Sequence, residues 1–180
     1  MNKILFKKYK NIISKNNLKT FNKVIEDRNF PLFLTIKSST GEKCNPTFEH
    51  CVVRVKEFRE SLDEINSGFY PLFKNIFETF CKKNKIKHSE IYRCSVNLTF
   101  NINEGKKKSH THKDHPYPHK LLMIYLNECD PKSKTVYISP NKKIYKIDPK
   151  INTGVLCNGY DHYYYYPTYG YRLVLIYTFI

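Results

Sequence analysis

The chain lacks tryptophan, and its 16 acidic residues stand against 31 basic ones. It also lacks any pair of cysteines spaced C-x-x-C, although six cysteines are present. That absence argues against a zinc ribbon and against a thioredoxin-like redox motif. No apolar run approaches the ~18 residues of a membrane span. The N-terminal stretch MNKILFKKYKNIISKN begins with positive charge, but lysines interrupt its apolar residues, so the sequence predicts no secretory leader. The cysteines are then expected as reduced thiols in a cytoplasmic protein. No internal repeat, low-complexity linker or composition break divides the chain, so a single domain over residues 1–180 is expected.

What is present is a globular composition: 41% hydrophobic and 15% aromatic residues, the aromatics being 15 tyrosines and 12 phenylalanines. The formal charge of +15 has two readings. It would attract nucleic acid or another acidic partner. It would also arise from composition alone, since the abundant Lys, Asn and Ile share A/T-rich codons and the lysines are spread along the chain rather than massed on one helix.

The first 66 residues are the least legible. Leu18, Phe21, Val24 and Ile25 have helical spacing. FPLFLTIKSS and FEHCVVRVKEF read as strands, and SSTGEKCNPT between them, with Gly41 and Pro46, reads as a loop. The clearest element follows. Phe69, Leu72, Phe73, Ile76, Phe77 and Phe80 form a continuous apolar stripe at helical period, predicting a helix with one face packed on a sheet. Pro71 suits its first turn, and Lys82, Lys83 and Lys85 suit its C-terminal end. Beyond residue 90 about eight short β-rich runs succeed one another over about ninety residues, KSHTHKD among them, with turn signals between and no helical period. The pattern predicts an antiparallel sandwich, barrel or jelly roll.

Four of the seven histidines fall in SHTHKDHPYPHK, residues 109–120. On a strand, residues i and i+2 share a face, so His112 and Asp114 would aim an imidazole and a carboxylate at one point. Two histidines and one carboxylate commonly hold an octahedral metal with open positions. The third ligand must come from His50, His88 or His162 if it lies outside the cluster, and His162, in a late strand, is the best placed. Arg172 lies ten residues beyond it at the mouth of the apolar run LVLIYTFI. An arginine entering a buried strand requires an anion, a carboxylate above all.

HTHKDH, LLMIYLNE and IDPKINTGVLCNGYDHYYYYPTYGYRLVLIYTF resemble the Fe(II)- and 2-oxoglutarate-dependent dioxygenases, specifically compact prolyl-hydroxylase-like members, short versions of which occur in viruses and phages. The likeness spans about residues 90–180 and extends loosely to the helix before them. The parts occur in order: HxD, YLN on the next strand, a proline-containing turn, a histidine, and an arginine about ten residues on. The resemblance implies a mainly β, α+β fold, a double-stranded β-helix with N-terminal helices packed on its major sheet. Residues 1–89 would supply the helices and support strands, and residues 90–180 the jelly-roll core. It implies Fe(II) held by His112, Asp114 and His162, with 2-oxoglutarate and O2 as co-substrates. Arg172 would grip the far carboxylate of 2-oxoglutarate, and the hydroxyl of Tyr125 would join it. Asn97 and Asn101, on the strand before HxD, match more loosely. The implied reaction is hydroxylation of a C–H bond, most simply in a peptidyl proline, with release of succinate and CO2.

The chain departs from the family at two places. DPKSKT replaces a Gly-Gly-x-Thr stretch after YLN, keeping only Thr135, and Val174 stands where relatives with Arg-x-Ser carry the serine. His110 and His112 alternate and offer a cupin-like ligand pair as a different reading. His115 and His119 flank PYP and are expected at the rim. Asp161 is expected to point away from His162. The tyrosines at 163–166 would alternate, two inward and two outward, as core filling or as pocket lining. Two other functions remain open: a base hydroxylase or demethylase acting on nucleic acid, with tyrosines stacking a flipped base, and a non-catalytic basic jelly roll that binds acidic partners.

Overall fold

The computed structural model describes residues 5–37, 43–55, 64–101 and 107–180. Its elements are β1 (Phe6–Lys10), α1 (Lys15–Ile25), β2 (Phe33–Lys37), β3 (Lys43–Val53), α2 (Tyr70–Asn84) and β4 (Ile91–Phe100). There follow β5 (Lys120–Tyr125), β6 (Thr135–Ile138), β7 (Ile144–Ile147), β8 (Thr153–Asn158), β9 (Asp161–Tyr164) and β10 (Tyr171–Phe179). A seven-stranded sheet runs β1-β8-β5-β10-β4-β3-β2, and a three-stranded sheet runs β7-β6-β9. Every strand pairing in both is antiparallel. This is the expected jelly roll, with both helices on the larger sheet. No helix among the described residues is long and apolar enough to cross a membrane.

Period-two alternation divides the interior into two cores. On β10, Leu173, Leu175, Tyr177 and Phe179 pack with Phe73, Ile76, Phe77 and Phe80 of α2, joined by Leu122 and Ile124 of β5. The intervening Val174, Leu121, Met123 and Tyr125 face the other way and pack with Tyr137, Ile147 and Val155 between the sheets. Both faces of β5 and β10 are therefore covered, which is why LLMIYL and LVLIYTF read as continuous apolar runs. Arg172 shares the inter-sheet face of β10, so the alternation that buries the core also aims its side chain between the sheets.

The helices start and stop where their sequences specify. Ser14 Oγ accepts the Asn17 N–H at 3.2 Å to cap α1. Pro71 occupies the first turn of α2, and Lys85, in the left-handed region at φ 54°, ends it with its N–H turned back to Cys81 and Lys82 carbonyls.

Two readings of the sequence are corrected here, and one element is added. The loop expected before residue 48 is partly strand: β3 already begins at Lys43, while residues 38–42 lie outside the described ones. Pro46 is tolerated because the β2–β3 register shifts between Thr35 and Lys37. The strand expected to run to residue 58 stops at Val53, and residues 56–58 also lie outside the described ones. The lysine-interrupted N-terminus contains an edge strand, β1, paired with β8. Lysines on an exposed edge oppose pairing with another chain, and they also hide the strand from a hydrophobicity pattern. Among the cysteines, Cys81, Cys94, Cys129 and Cys157 are free thiols.

Candidate metal centre

KSHTHKD does not form a regular strand. It is held by isolated bridges, Lys108 to Tyr165 just past β9 and His112 to His162 within β9. Pro116 and Pro118 follow closely and cannot donate to a ladder. The single bridge at His112 is reciprocal: His112 N–H donates to His162 O at 3.0 Å and His162 N–H to His112 O at 2.9 Å. Two residues that exchange both backbone bonds sit directly opposite each other, so the imidazoles emerge side by side, with ring centroids 4.5 Å apart.

Asp114 joins them. One ligand atom from each of His112, Asp114 and His162 lies within 4.8 Å of the others, and His162 Nε2 is 3.8 Å from Asp114 Oδ2. The imidazole tautomers are fixed by the main chain. His112 Nδ1–H donates to the His110 carbonyl at 3.1 Å, and His162 Nδ1–H to the Tyr160 carbonyl at 2.9 Å. Each ring therefore presents an Nε2 lone pair toward the cluster. Asp114 Oδ2 is buried and accepts no hydrogen bond. Burial alone would raise the Asp114 pKa, but His162, Arg93 and His112 outweigh it and hold the carboxyl below its ordinary value. Burial also keeps His162 below the ordinary imidazole value, against the pull of Asp114. A buried, unsatisfied carboxylate oxygen beside two imidazole nitrogens is a donor set that suits a divalent transition metal.

The other oxygen of Asp114 has a partner that the sequence reading passed over. Arg93, on the inter-sheet face of β4, donates to Asp114 Oδ1 at 3.4 Å and to Glu49 Oε1 of β3 at 2.7 Å. Burial would favour a neutral guanidinium, but Glu49 and Asp114 hold it charged. The signal for Arg93 was its two-residue spacing from Ser95 and Asn97 on one strand face.

Arg172 is 3% exposed, and among the described residues no carboxylate pairs with it. Its Nη2 donates to Thr135 Oγ1 at 2.9 Å, its Nε has no hydrogen-bond partner, and its guanidinium lies over the ring of Tyr164 at 4.4 Å. Tyr125 is buried beside it, guanidinium to ring 5.4 Å, and its hydroxyl meets Thr135 Oγ1 at 2.7 Å. Arg172 and Tyr125 thus meet through Thr135. DPKSKT delivers that threonine without the double glycine. Asp130 accepts N–H bonds from Lys132 and Thr168, and Ser133 Oγ donates to the Tyr165 carbonyl at 2.7 Å.

The remaining candidates separate clearly. His110 is exposed and stands outside the cluster, so no cupin-like pair with His112 forms. His115 and His119, expected at the rim, are buried at 2% and 7% exposure. His115 Nε2 meets Thr178 Oγ1 at 2.7 Å, which ties the segment after Asp114 to β10. His50 bridges the Pro31 carbonyl and Ser67, and His88 packs edge-on to Phe77. Asn97 lies on the same strand face as Arg93, its Oδ1 buried without a hydrogen-bond partner, while Asn101 lies at the end of β4. The tyrosines alternate: Tyr164 turns inward over Arg172, and Tyr163 pairs outward with Tyr165 and Lys108.

No protein-family model matches the sequence, and no curated protein matches it. Solved structures do match the fold. A 2OG-Fe(II) oxygenase family oxidoreductase from Burkholderia pseudomallei superposes with a TM-score of 0.74 at 13% identity, over 96% of this chain and 84% of that one. A prolyl hydroxylase from Trichoplax adhaerens, in complex with a hypoxia inducible factor oxygen degradation domain peptide fragment, gives 0.67 at 12% identity, over 97% and 83%. A Pseudomonas putida prolyl-4-hydroxylase gives 0.63 at 12% identity, over 98% and 92%. The chain therefore has the double-stranded β-helix fold found in the 2OG-Fe(II) oxygenases, prolyl hydroxylases among them.

Proposed function

We propose that the protein is an Fe(II)- and 2-oxoglutarate-dependent oxygenase that hydroxylates a C–H bond, with a peptidyl residue such as proline as its substrate. The observation that carries this reading is the buried Oδ2 of Asp114, unsatisfied and facing the Nε2 atoms of His112 and His162. These three atoms would hold the metal and leave coordination positions open. Arg172, buried with no carboxylate beside it among the described residues, would take the far carboxylate of 2-oxoglutarate, with Tyr125 supporting it through Thr135. When bound, the metal and 2-oxoglutarate would supply, with O2 as the oxidant, oxidative decarboxylation of the co-substrate to succinate and CO2, coupled to transfer of the second oxygen atom into a C–H bond.

The chain's own residues place and protect. The Nδ1–H bonds to His110 and Tyr160 carbonyls keep both imidazoles oriented. Arg93 holds Asp114 by the oxygen turned away from the histidines. Tyr137, Tyr125 and Val174 wall the space between the sheets and exclude water. The peptide assignment rests on two prolyl hydroxylases among the structural neighbours, one of them a peptide complex.

The test is succinate release with Fe(II) and 2-oxoglutarate, with a proline-rich peptide and single-stranded DNA as parallel substrates. Stimulation by the peptide is expected. Stimulation by DNA alone would move the substrate to nucleic acid, and no succinate with either would leave a binding module. His112→Ala is expected to abolish turnover without unfolding the chain. Arg172→Ala should raise the 2-oxoglutarate requirement about 100-fold, the size expected when one partner of a buried charged pair is removed.

A further inference from the structure

Three hydrogen-bond donors converge on one poor acceptor in the space between the sheets. The thioether sulfur of Met123 lies 3.4 Å from the Tyr137 hydroxyl, 3.5 Å from Arg172 Nη2 and 3.6 Å from Thr135 Oγ1. A thioether accepts weakly, and buried donors ordinarily find oxygen. The proton directions agree with this convergence. Thr135 N–H donates to the Tyr125 oxygen at 3.1 Å, so the Tyr125 O–H is directed to Thr135 Oγ1, which leaves the threonine proton for the sulfur. The Nε of Arg172 donates to nothing. One cation and two hydroxyls thus surround a position where an anion belongs and a neutral sulfur sits.

Tyr137 is suited to serve that position. It is fully buried, and its hydroxyl already donates toward the Met123 sulfur. Its ring lies against the His162 imidazole, centroids 5.3 Å apart, so one side chain spans from a candidate metal ligand to the anion seat. Phe6 of β1 packs edge-on against it at 5.7 Å and fixes its outer side.

Resting on the oxygenase reading above, we propose that Tyr137, with Arg172 and Thr135, binds the distal carboxylate of 2-oxoglutarate, and that this carboxylate displaces the Met123 sulfur from the three donors.

The chain has only two methionines, Met1 and Met123, so methyl-labelled methionine gives a resolved reporter. The experiment titrates 2-oxoglutarate into Zn(II)-loaded protein, with the Met123 methyl followed by NMR, assigned through Met123→Leu, and with affinity measured by calorimetry. The expected result is a shift of the Met123 methyl in the wild type. In Tyr137→Phe, 2-oxoglutarate binding should weaken about 10-fold, as for one hydrogen bond to a charged group, with Zn(II) affinity unchanged. Wild-type affinity in Tyr137→Phe, or an unmoved Met123 methyl while calorimetry records binding, would overturn the proposal and leave the oxygenase reading standing. No 2-oxoglutarate binding by the wild type would overturn both.

Discussion

The two oxygens of Asp114 face different partners, and that division organises the site. Oδ1 meets Arg93, and Oδ2 meets only the histidine side. Removing Arg93 would leave Oδ1 without its ion partner and Glu49 unpaired in a largely buried setting. Arg93→Ala is therefore expected to weaken metal binding about 10- to 100-fold, the usual cost of losing a partner that orients a ligand. It should also destabilise the fold by about 3 kcal/mol, checked by Zn(II) titration and urea unfolding of the same variant. At this scale the sequence was informative where spacing carries chemistry. His112, Asp114 and His162 stand together in the structure, and Arg172 and Tyr125 meet at Thr135. Arg93 and Tyr137 were not singled out, because alternation assigns such a residue to a strand face but does not name its partners across the sheets. His115 and His119 were misread as rim residues: prolines flanking them signal a turn, but not which way its side chains point.

Among the elements, α2 was the most legible, whereas the HxD segment was read as a strand that it does not form. The apolar stripe of α2 repeats at one period over three turns, and Phe73, Phe77 and Phe80 are all essentially fully buried beneath it. Phe77 packs edge-on against Phe179 at 4.8 Å and near-parallel to Tyr177 at 5.0 Å. Phe77→Ala should cost about 4 kcal/mol, measured by chemical denaturation. The HxD segment reads as a strand in isolation, but it is held by two single bridges, since the prolines after it end any ladder. The turn into β6 illustrates the same dependence on context. Asp130, 1% exposed, organises it by accepting from Lys132 N–H, Thr168 N–H and the Thr168 hydroxyl. Burial would raise its pKa, but the bonds from Thr168 and Lys132 lower it overall. A carboxyl depressed on folding adds stability above its unfolded value of about 3.9, and that stability is lost as pH falls through the lower folded value. Asp130→Asn should thus lose about 1–3 kcal/mol near neutral pH. The gap to the wild type should narrow in acid, as pH falls below the unfolded carboxylate range and through the lower folded value, when both are unfolded by urea.

At the scale of the whole molecule, the site exists because two sheets face each other. His162 and Thr135 come from the smaller sheet and Arg93 and Arg172 from the larger, with Asp114 and His112 on the segment between β4 and β5. Strand spacing sets how closely these parts approach. Gly154 of β8 shows the tolerance: a Cβ there would sit 1.9 Å from the Met123 carbonyl oxygen of β5. Gly154→Ala should force β5 and β8 apart and disturb the donor cluster around Met123. The check is its Tm together with the Met123 methyl shift, both of which should change.

Hydrophobic periodicity determined, from the sequence alone, that helices would precede a β body and which faces would be buried, because burial of apolar area acts locally and repeats with the element's own period. The order of His, Asp, His and Arg likewise pointed to a chemistry. Only the tertiary structure decided which residues share the space between the sheets. That depends on strand register and on contacts between residues far apart in the chain, such as Arg93 with Asp114 or Arg172 with Thr135, and no local pattern encodes a partner tens of residues away.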